Sequence, residues 1–432
     1  MKNTIIYIVF FLCVFNTAQA QQTPADAQTA DYTIEGATAH IGDGTVIENS
    51  LLMFSKGDLV FVGSATVKIG RIGTIIQAKG KHVYPGFIAV NTTLGLAEID
   101  AVKATRDIDE IGALNPHIRS IIAYNAESKV VESMRPNGVL IAQVTPRGGL
   151  ISGTSSVVQL DAWNWQDAAV KTDGGIHLNW PSSFSRGRWW LHEDSTLKPS
   201  KQYQKTVTRI TDYFKQAKNY LKSAKNPVHL PYESVAGLFD GSQKLFVHAN
   251  GNKEITDAVH VLKELGILQL VLVNGAAAEH VSDVLVQYNI PVVLQRAHRL
   301  PSAEDEDYDY PFRMAKILSD KGILVGIGME GSMERMSTRN LPFYAGTYAA
   351  YGLDKEKAVQ LITQNNAKIL GIESQMGTLT TGKDATLFIS EGDALDMRTN
   401  ILSAAFIKGR KISLESHQTA LWKRYSKKYK QQ

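Results

Sequence analysis

Polar side chains follow an apolar, strand-like segment near the start of the chain. In "YPGFIAVNTTLGLAEID", residues 84–100, the apolar run Phe87–Val90 leads into Asn91-Thr92-Thr93. Because side chains alternate along a strand, Asn91 and Thr93 would point together into the mouth of a barrel that this strand opens. A metal enzyme would place two imidazoles there, whereas amide and hydroxyl oxygens are weak, neutral ligands for zinc.

Two further residues could carry acid–base chemistry. His248 stands at the end of the strand-like run "KLFVHAN", and Glu330 follows another such run in "GILVGIGMEGS". A carboxyl group enclosed in a barrel mouth has a raised pKa and can act as a general base. Both residues also have structural interpretations. His248 would then be a hydrogen-bonded histidine at a strand end, and Glu330 a carboxylate paired with Arg335 or Arg339.

A glycine-rich segment predicts a loop that meets a ligand. "PRGGLISGTSSVVQLDAWNWQDA" contains Arg147, the serine-rich stretch 152–156 and two tryptophans, Trp163 and Trp165. Arg147 and the serines could contact a polar ligand, with Trp163 beside them. A pair of tryptophans is also typical of packing.

Composition places the chain among ordinary soluble globular proteins. It has 432 residues, 44% of them hydrophobic and 20% charged, with a formal charge of +4. Such a small excess gives no case for nucleic-acid binding. Much of it lies in the tail "LWKRYSKKYKQQ", which is typical of a solvated helix end, with an acidic partner surface or a membrane as the alternative.

The amino terminus predicts export. Lys2, an apolar run from Ile5 to Phe15 and the small-residue pattern Ala18-Gln19-Ala20 form a signal peptide cut after Ala20. The single cysteine, Cys13, lies inside it, so the mature chain would have no thiolate for catalysis or metal binding. No later segment reaches the roughly 18 apolar residues of a membrane span. We therefore expect a periplasmic or secreted protein.

The order of the elements predicts an α/β fold. Short strand-like runs with hairpin signals occupy both ends, and strands alternate with helices between them. This pattern predicts a (β/α)8 TIM-type barrel with a small β-sandwich built from both ends of the chain. The expected boundaries are a signal peptide over 1–20, a composite sandwich from 31–85 and 373–415, a barrel over 86–372 and a basic tail over 416–432.

Three stretches carry a family resemblance. "GKHVYPGFIAVNT" is similar to the barrel-opening strand of the amidohydrolase superfamily, imidazolonepropionase-like branch. "KLFVHANGNKEITDAVHVLKELGI" resembles its fifth strand and helix, and "YGLDKEKAVQLITQNNAKILGIESQMGTLTTGKDATLFI" its closing signature. The resemblance spans about residues 32–412. It implies a metal site at the carboxyl face of the barrel that activates water to hydrolyse non-peptide C–N bonds.

The departures from the family pattern fall on the chemistry. The family's first strand ends in His-x-His, where this chain has Asn91-Thr92-Thr93. Glu330 replaces the aspartate of the last ligand strand, His248 is retained on the fifth, and Asn274-Gly275 stands where a sixth-strand histidine is expected. The strand-four ligand has no clear counterpart, and His177 in "GGIHLNWPSS" is a nearby alternative.

The remaining residues predict a degenerate metal site. A catalytic zinc needs about three protein ligands. His248 and Glu330 supply two, and His177 would be the third if a metal binds. We therefore expect no tightly bound metal, although the resemblance implies a divalent ion such as zinc.

Three functions are compatible with these residues. The chain could be a hydrolase that uses His248 and Glu330, with Asn91, Thr93, Arg147 and Trp163 contacting substrate. It could instead be a catalytically silent barrel that binds a small molecule. A third possibility is the structural subunit of a homo- or hetero-oligomer with an intact related amidohydrolase. Nucleic acid and a membrane span are excluded from the expected partners.

Overall fold

The computed structural model describes residues 23–187, 189–223, 227–301, 305–331 and 333–429. The predicted signal peptide, with Cys13, lies outside these ranges. Within them, no helix combines the length and apolar character needed to cross a membrane.

The amino-terminal residues form short strands of two sheets. These are β1 (Tyr32–Glu35), β2 (Thr38–His40), β3 (Val46–Ile47), β4 (Ser50–Ser55), β5 (Asp58–Ser64), β6 (Thr74–Gln77) and β7 (His82–Pro85). One sheet has the order β5-β4-β1-β6. The other takes β2, β3 and β7 together with three strands from the far end of the chain.

The middle of the chain supplies the strands of the largest sheet. These are β8 (Phe87–Thr92), β9 (Val139–Val144), β10 (Ile151–Gln159), β11 (Ala169–Asn179), β14 (Lys244–Ala249), β15 (Leu270–Asn274), β16 (Val292–Leu294) and β17 (Val325–Ile327). Between them, β12 (Phe184–Ser185) and β13 (Lys198–Pro199) form a separate small hairpin. The eight strands lie in sequence order around a nearly closed barrel.

The carboxyl end returns to the sandwich with β18 (Leu387–Ser390), β19 (Leu402–Ile407) and β20 (Arg410–Lys411). These strands complete a sheet of order β20-β19-β18-β7-β2-β3. A core that includes Ile34, Phe54, Leu387 and Phe406 lies between the two sheets. Phe54 of one sheet meets Phe406 of the other edge-on, with ring centroids 5.0 Å apart. Both ends of the chain therefore build the sandwich.

Helices cover the outside of the barrel. They are α1 (Lys129–Glu132), α2 (Trp165–Ala168), α3 (Tyr203–Tyr220), α4 (Leu230–Glu233), α5 (Gly237–Asp240), α6 (Asn252–Glu264), α7 (Ser282–Gln287), α8 (Tyr310–Asp320), α9 (Glu334–Ser337), α10 (Leu341–Ala350), α11 (Lys355–Leu361), α12 (Gln364–Leu370) and α13 (His417–Tyr429). Short 3₁₀ turns lie at Lys103–Thr105, Ser120–Ala123, Arg135–Asn137, Trp189–Leu191, Ala278–Val281 and Thr338–Asn340.

The barrel-plus-sandwich prediction is confirmed, with one difference in strand direction. The strand β10 runs antiparallel to both of its neighbours, β9 and β11. Only six residues separate β9 from β10. A crossover between parallel strands needs a dozen residues or more. The six-residue connection is therefore long enough only for β10 to run back antiparallel to β9.

The first and last barrel strands meet in a seam with few backbone hydrogen bonds. A bridge joins Val90 to Gly328, and the Met329 amide donates to Val90 O at 2.9 Å. A side chain at Gly328 would place its Cβ 2.4 Å from Val293. Glycine is required there by this close approach.

Two adjacent asparagines of α12 add hydrogen bonds along this seam. The buried Asn366 donates from Nδ2 to Ile88 O at 2.7 Å and to Ile327 O at 3.0 Å, which links the first strand to the last. Asn365 donates to Val325 O at 2.8 Å. The closing signature of the sequence thus includes a helix whose asparagines join the first and last strands of the barrel.

Replacing Asn366 with leucine should weaken this closure strongly. It leaves two buried carbonyl oxygens, of Ile88 and Ile327, without the donor that they now share. We expect a loss of about 2–4 kcal/mol in the free energy of unfolding, measured in urea. Asn365→Leu is the matched control and should cost about 1 kcal/mol, because it removes one bond from a half-buried site. Equal losses for the two variants would contradict this role of Asn366.

A histidine pair joins the sandwich to the barrel. His40 contacts Glu356 of α11 through Nδ1 at 2.8 Å and His82 through Nε2 at 2.9 Å, and its ring stacks on Tyr84. Burial, assisted by the nearby His40 and Lys355, lowers the pKa of His82. The folded protein therefore favours the neutral His82 ring.

Acid should destabilise the fold through this histidine. An unfolded histidine titrates near pH 6.5, so the stability that depends on the neutral ring is complete above about pH 6.5 and is lost as the pH falls through the lower folded pKa. We expect the melting temperature to fall from pH 7 to pH 5, and His82→Gln to reduce that fall. His260→Gln, at an exposed site, is the control. An equal fall in melting temperature from pH 7 to pH 5 for the parent and His82→Gln would show that His82 does not contribute to the pH dependence of stability.

Candidate functional site

The first barrel strand ends in a left-handed residue. Asn91 has φ +58°, a conformation that asparagine tolerates better than most residues. Its amide N–H donates to Gln143 Oε1 at 3.1 Å, and its side-chain Nδ2 donates to Met329 O at 2.9 Å across the seam. The regular alternation expected for residues 91–93 is therefore broken at Asn91.

Arg147 lies against this strand end. Its guanidinium donates from Nη1 to Asn91 Oδ1 at 2.9 Å and from Nη2 to Asn91 O at 2.8 Å. A quarter of the Arg147 side chain is exposed. The amide that replaces an expected imidazole thus orients a permanent cation at the barrel mouth.

A buried carboxylate completes the network. Glu334 accepts hydrogen bonds from the Thr93 amide at 2.7 Å, from Thr93 Oγ1 at 2.5 Å and from Thr92 Oγ1 at 2.9 Å. Its Oε1 lies 3.7 Å from Arg147 Nη2. Thr93, predicted to contact substrate, here holds the carboxylate that partly balances the Arg147 charge. Sequence reasoning missed Glu334, which had no signal beyond its position near Glu330.

Two histidines on neighbouring strands form a hydrogen-bonded chain. His177 of β11 contacts His248 of β14, with 3.0 Å between His177 Nδ1 and His248 Nε2. His177 Nε2 contacts Ser155 Oγ at 2.9 Å, and Gln143 donates to the same oxygen at 2.9 Å. The structure brings together His177 and His248, which the sequence analysis linked only as candidate ligands of one metal ion.

Both imidazoles are neutral near pH 7. Burial lowers the pKa of His177 well below its ordinary value, and the neighbouring His248 and Arg147 add to the effect. Burial also lowers the pKa of His248, and the adjacent Glu330 only partly offsets it. A neutral imidazole has one donor and one acceptor nitrogen. The hydrogen bonds between His248, His177 and Ser155 can therefore all run in the same direction.

Glu330 stands next to His248 at the mouth. The distance from His248 Nδ1 to Glu330 Oε2 is 3.9 Å, too long for a direct hydrogen bond. Burial alone would raise the pKa of Glu330, but His248 and Arg147 outweigh it and hold the pKa below its ordinary value. The prediction of a raised pKa is therefore wrong: two positive or polar neighbours stabilise the carboxylate. The partner suggested for Glu330, Arg335, pairs with Asp100 instead at 2.8 Å.

Two acceptor atoms near this point lack donors. Glu330 Oε2 and Asn274 Oδ1 are buried and have no hydrogen-bond partner among the described residues. Asn274 also has a left-handed backbone, with φ +77°, at the end of β15. The Asn274 side chain helps to lower the pKa of Glu330.

Open space lies at the carboxyl ends of the neighbouring strands, and Arg147, His248 and Glu330 are not part of its lining. A cavity of about 870 Å³ is lined by residues that follow β14, β15 and β16, including Asn250, Ala276 and Gln295. A barrel of this kind binds its ligands at this face. Carboxylates of the cavity lining include Glu254 and Asp307.

Trp163 does not join this group. It follows β10, whose reversed direction carries its end to the opposite face of the barrel from His248. There it is 60% exposed and lines a separate cavity with Gln159, Asp167 and Arg410. The antiparallel strand thus separates Arg147, at the start of the glycine-rich segment, from Trp163 at its end.

The donor set does not fit a catalytic zinc. In the part of the chain that the structure describes, no group of three His, Cys, Asp or Glu side chains could hold a metal ion. His248 Nε2 is engaged by His177, Asn91 Oδ1 accepts from a guanidinium, and Glu334 is saturated by threonines. Three converging ligands are the minimum for such a site.

Removing the Glu334 carboxylate should destabilise the mouth. Glu334→Leu leaves the Thr92 and Thr93 donors and the Arg147 cation without their buried acceptor, for an expected loss of about 3–5 kcal/mol in the free energy of unfolding in urea. Glu391→Leu is the control, since this carboxylate pairs with Lys81 at the surface and should cost less than about 1 kcal/mol. A loss for Glu334→Leu as small as that of the control would contradict this role.

Comparison with known structures agrees with this fold. An amidohydrolase from Thermotoga maritima MSB8 is 22% identical with a TM-score of 0.74, over 88% of this chain and 99% of that one. An adenosine deaminase from Xanthomonas campestris with bound zinc is 15% identical with a TM-score of 0.54, over 95% and 98%. A Xaa-Pro dipeptidase with bound methionine is 12% identical with a TM-score of 0.53, over 88% and 99%.

At such identities these likenesses establish the fold alone. None of the curated proteins compared with this sequence matches it. The amidohydrolase family pattern, in contrast, matches residues 193–412, just over half of the 432 residues and including His248 and Glu330. The chain belongs to the amidohydrolase family.

Proposed function

We propose that this protein binds a small polar molecule at the barrel mouth and does not hydrolyse it by metal-activated water. One observation carries the proposal. The Arg147 guanidinium donates to Asn91 Oδ1 at 2.9 Å, at the position where the resemblance to the imidazolonepropionase-like branch implies a metal-binding imidazole. A fixed cation there supplies positive charge without a metal ion and repels a divalent one.

The charges around the mouth indicate what a ligand would offer. Arg147 has five N–H donors, and two of its hydrogen bonds go to Asn91, so its remaining donors suit a carboxylate or carbonyl oxygen. Glu330 is ionised and 35% exposed, and it suits an N–H donor. A molecule that carries both groups, such as an amide or an amino acid, would satisfy the two residues together.

Metal-free hydrolysis is a second candidate. It is favoured by the neutral His248, which stands beside the ionised Glu330 and is backed by His177 and Ser155. A neutral imidazole in that position can take a proton from water that attacks a non-peptide C–N bond. A general base alone lowers the barrier less than a metal ion that also lowers the pKa of the bound water, so turnover would be slow.

Export and assembly complete the proposal. The predicted signal peptide over residues 1–20 would deliver the chain to a periplasm or the medium. A silent barrel of this family could also serve as the subunit of a homo- or hetero-oligomer with an intact relative. Neither point affects the geometry of the mouth.

Metal content and ligand binding test the proposal together. Protein purified without chelators should contain far less than one metal ion per chain by elemental mass spectrometry, before and after incubation with zinc or manganese. The ligand panel is a set of amides and amino acids at about 1 mM, which is close to the weakest affinity that such a screen detects. At least one of them should raise the melting temperature without being consumed.

Variants identify the site. Arg147→Gln should abolish the shift in melting temperature, because a neutral amide cannot replace the guanidinium charge. Arg119→Gln, which removes a half-exposed surface cation paired with Asp173, should leave it unchanged. One metal ion per chain, or consumption of an amide that a chelator stops, would overturn the proposal. Consumption that resists chelators and is lost in His248→Gln would overturn it in favour of metal-free hydrolysis.

A further inference from the structure

The carboxyl-terminal helix α13, residues 417–429, stands apart from the cores of the protein. None of its residues is buried. Its start is fixed to the body, because the His417 amide donates to Glu132 Oε1 at 2.7 Å and Ser416 and Thr419 bond each other. At 1.5 Å per residue the helix is about 20 Å long. It is a surface element with an anchored start.

One face of this helix is aromatic. Trp422, Tyr425 and Tyr429 are 66%, 49% and 61% exposed. At 100° per residue their side chains fall within a sector of about 60°. Tryptophan and tyrosine each combine an apolar ring with a polar tip, and these two residue types concentrate at the interface between lipid and water.

Basic residues occupy the sides and the back of the helix, about 90–170° from the centre of the aromatic sector. The segment "HQTALWKRYSKKY" contains four basic residues, Lys423, Arg424, Lys427 and Lys428, and no acidic residue. Lys423 pairs with Glu415 just before the helix, at 2.9 Å. Lys428 lies over the Tyr429 ring, 5.0 Å from its centroid. The helix is therefore amphipathic, with an aromatic face on one side and cations along its flanks and opposite side.

We propose that α13 docks on an anionic phospholipid surface. The aromatic rings would enter the headgroup region, and the lysines and arginine would contact lipid phosphates, which attract each basic residue near the surface. Charge complementarity selects this occupant. A second copy of the same helix would bring two sets of cations together, and it would find tyrosine hydroxyls rather than an aliphatic stripe to pack against.

This surface is independent of the barrel mouth. The helix is too short to cross a membrane and would lie parallel to its surface, so binding would be reversible. Because basic residues would supply the attraction, binding would also weaken as the salt concentration rises. Failure of the lipid proposal would leave the ligand-binding proposal untouched, and the reverse also holds.

Vesicle sedimentation tests the proposal with the mature chain. The protein should sediment with phosphatidylglycerol–phosphatidylethanolamine vesicles at 0.1 M salt, at least tenfold more than with phosphatidylcholine vesicles. Raising the salt to 0.5 M should release most of it. Quenching of tryptophan fluorescence by brominated lipids should be lost in Trp422→Ser.

Two variants separate the aromatic and basic contributions. The triple variant Trp422→Ser, Tyr425→Ser and Tyr429→Ser, and the pair Lys427→Glu and Lys428→Glu, should each reduce sedimentation at least tenfold. Neither should change the melting temperature, since no residue of α13 is buried. The matched controls are Tyr308→Ser, an exposed aromatic residue elsewhere, and the pair Lys215→Glu on α3 with Lys222→Glu just after it.

The same experiment can overturn the proposal. Equal binding to neutral and anionic vesicles, or binding that the α13 variants leave unchanged, would show that the helix is not the lipid-binding element. No binding to either vesicle would exclude the lipid surface. A dimer that the serine variant converts to monomer would assign the face to a second copy of the chain, and binding to an acidic protein without lipid binding would assign it to that partner.

Discussion

The seam between the first and last barrel strands is the constraint on which the site depends. The backbone contributes little to this junction beyond the Val90–Gly328 bridge and the Met329 amide. Side chains supply the rest. Asn366 donates hydrogen bonds to both strands from the helix outside the barrel. Asn91, at the carboxyl end of β8, donates a hydrogen bond to Met329 O across the seam. A barrel closes only if its two edge strands are paired, because an open edge leaves backbone donors and acceptors unsatisfied.

The same seam positions the charges of the mouth. Asn91 uses its amide nitrogen for closure and its amide oxygen for Arg147, so one side chain couples the barrel junction to the cation. Glu334 follows the last strand and returns to bind Thr92 and Thr93 at the end of the first. Asn91, Thr92 and Thr93 at the end of the first strand thus have structural hydrogen bonds. A buried polar network is stabilising only when each donor and acceptor in it has a hydrogen-bond partner. This requirement explains why several residues surround Asn91 and Glu334.

The histidine chain has a different origin. His177 and His248 meet because β11 and β14 are adjacent parallel strands and both residues lie near the carboxyl ends. Burial keeps both rings neutral, and Ser155 and Gln143 satisfy the inner end. At the outer end, Glu330 Oε2 and Asn274 Oδ1 lack donors. The chain of hydrogen bonds is complete inside the barrel and incomplete toward the mouth, where a ligand would arrive.

The fold class and the family can be recognised from the sequence alone, and the loss of the paired first-strand histidines is a prediction from it. These follow from local signals: the period of apolar residues, turn residues, and short motifs that keep their spacing. The sequence also singled out His248, Glu330 and Asn91 at the ends of strand-like segments, and Arg147 in a glycine-rich segment. The direction of β10 was readable in principle, because its connection to β9 is too short for a crossover, but the repeated strand–helix pattern favoured a parallel strand.

Only the tertiary structure decided what these residues do. Arg147 meets Asn91 across 56 residues of sequence, and Glu334 meets Thr93 across 241. No local pattern contains such a pairing, because it depends on how the barrel closes. The pKa of Glu330 shows the same limit. Burial of one carboxyl group predicts a raised pKa, whereas the guanidinium and imidazole that folding brings beside it lower the pKa instead. Chemistry at a barrel mouth is set by neighbours from many strands, and their distances exist only once the seam is closed.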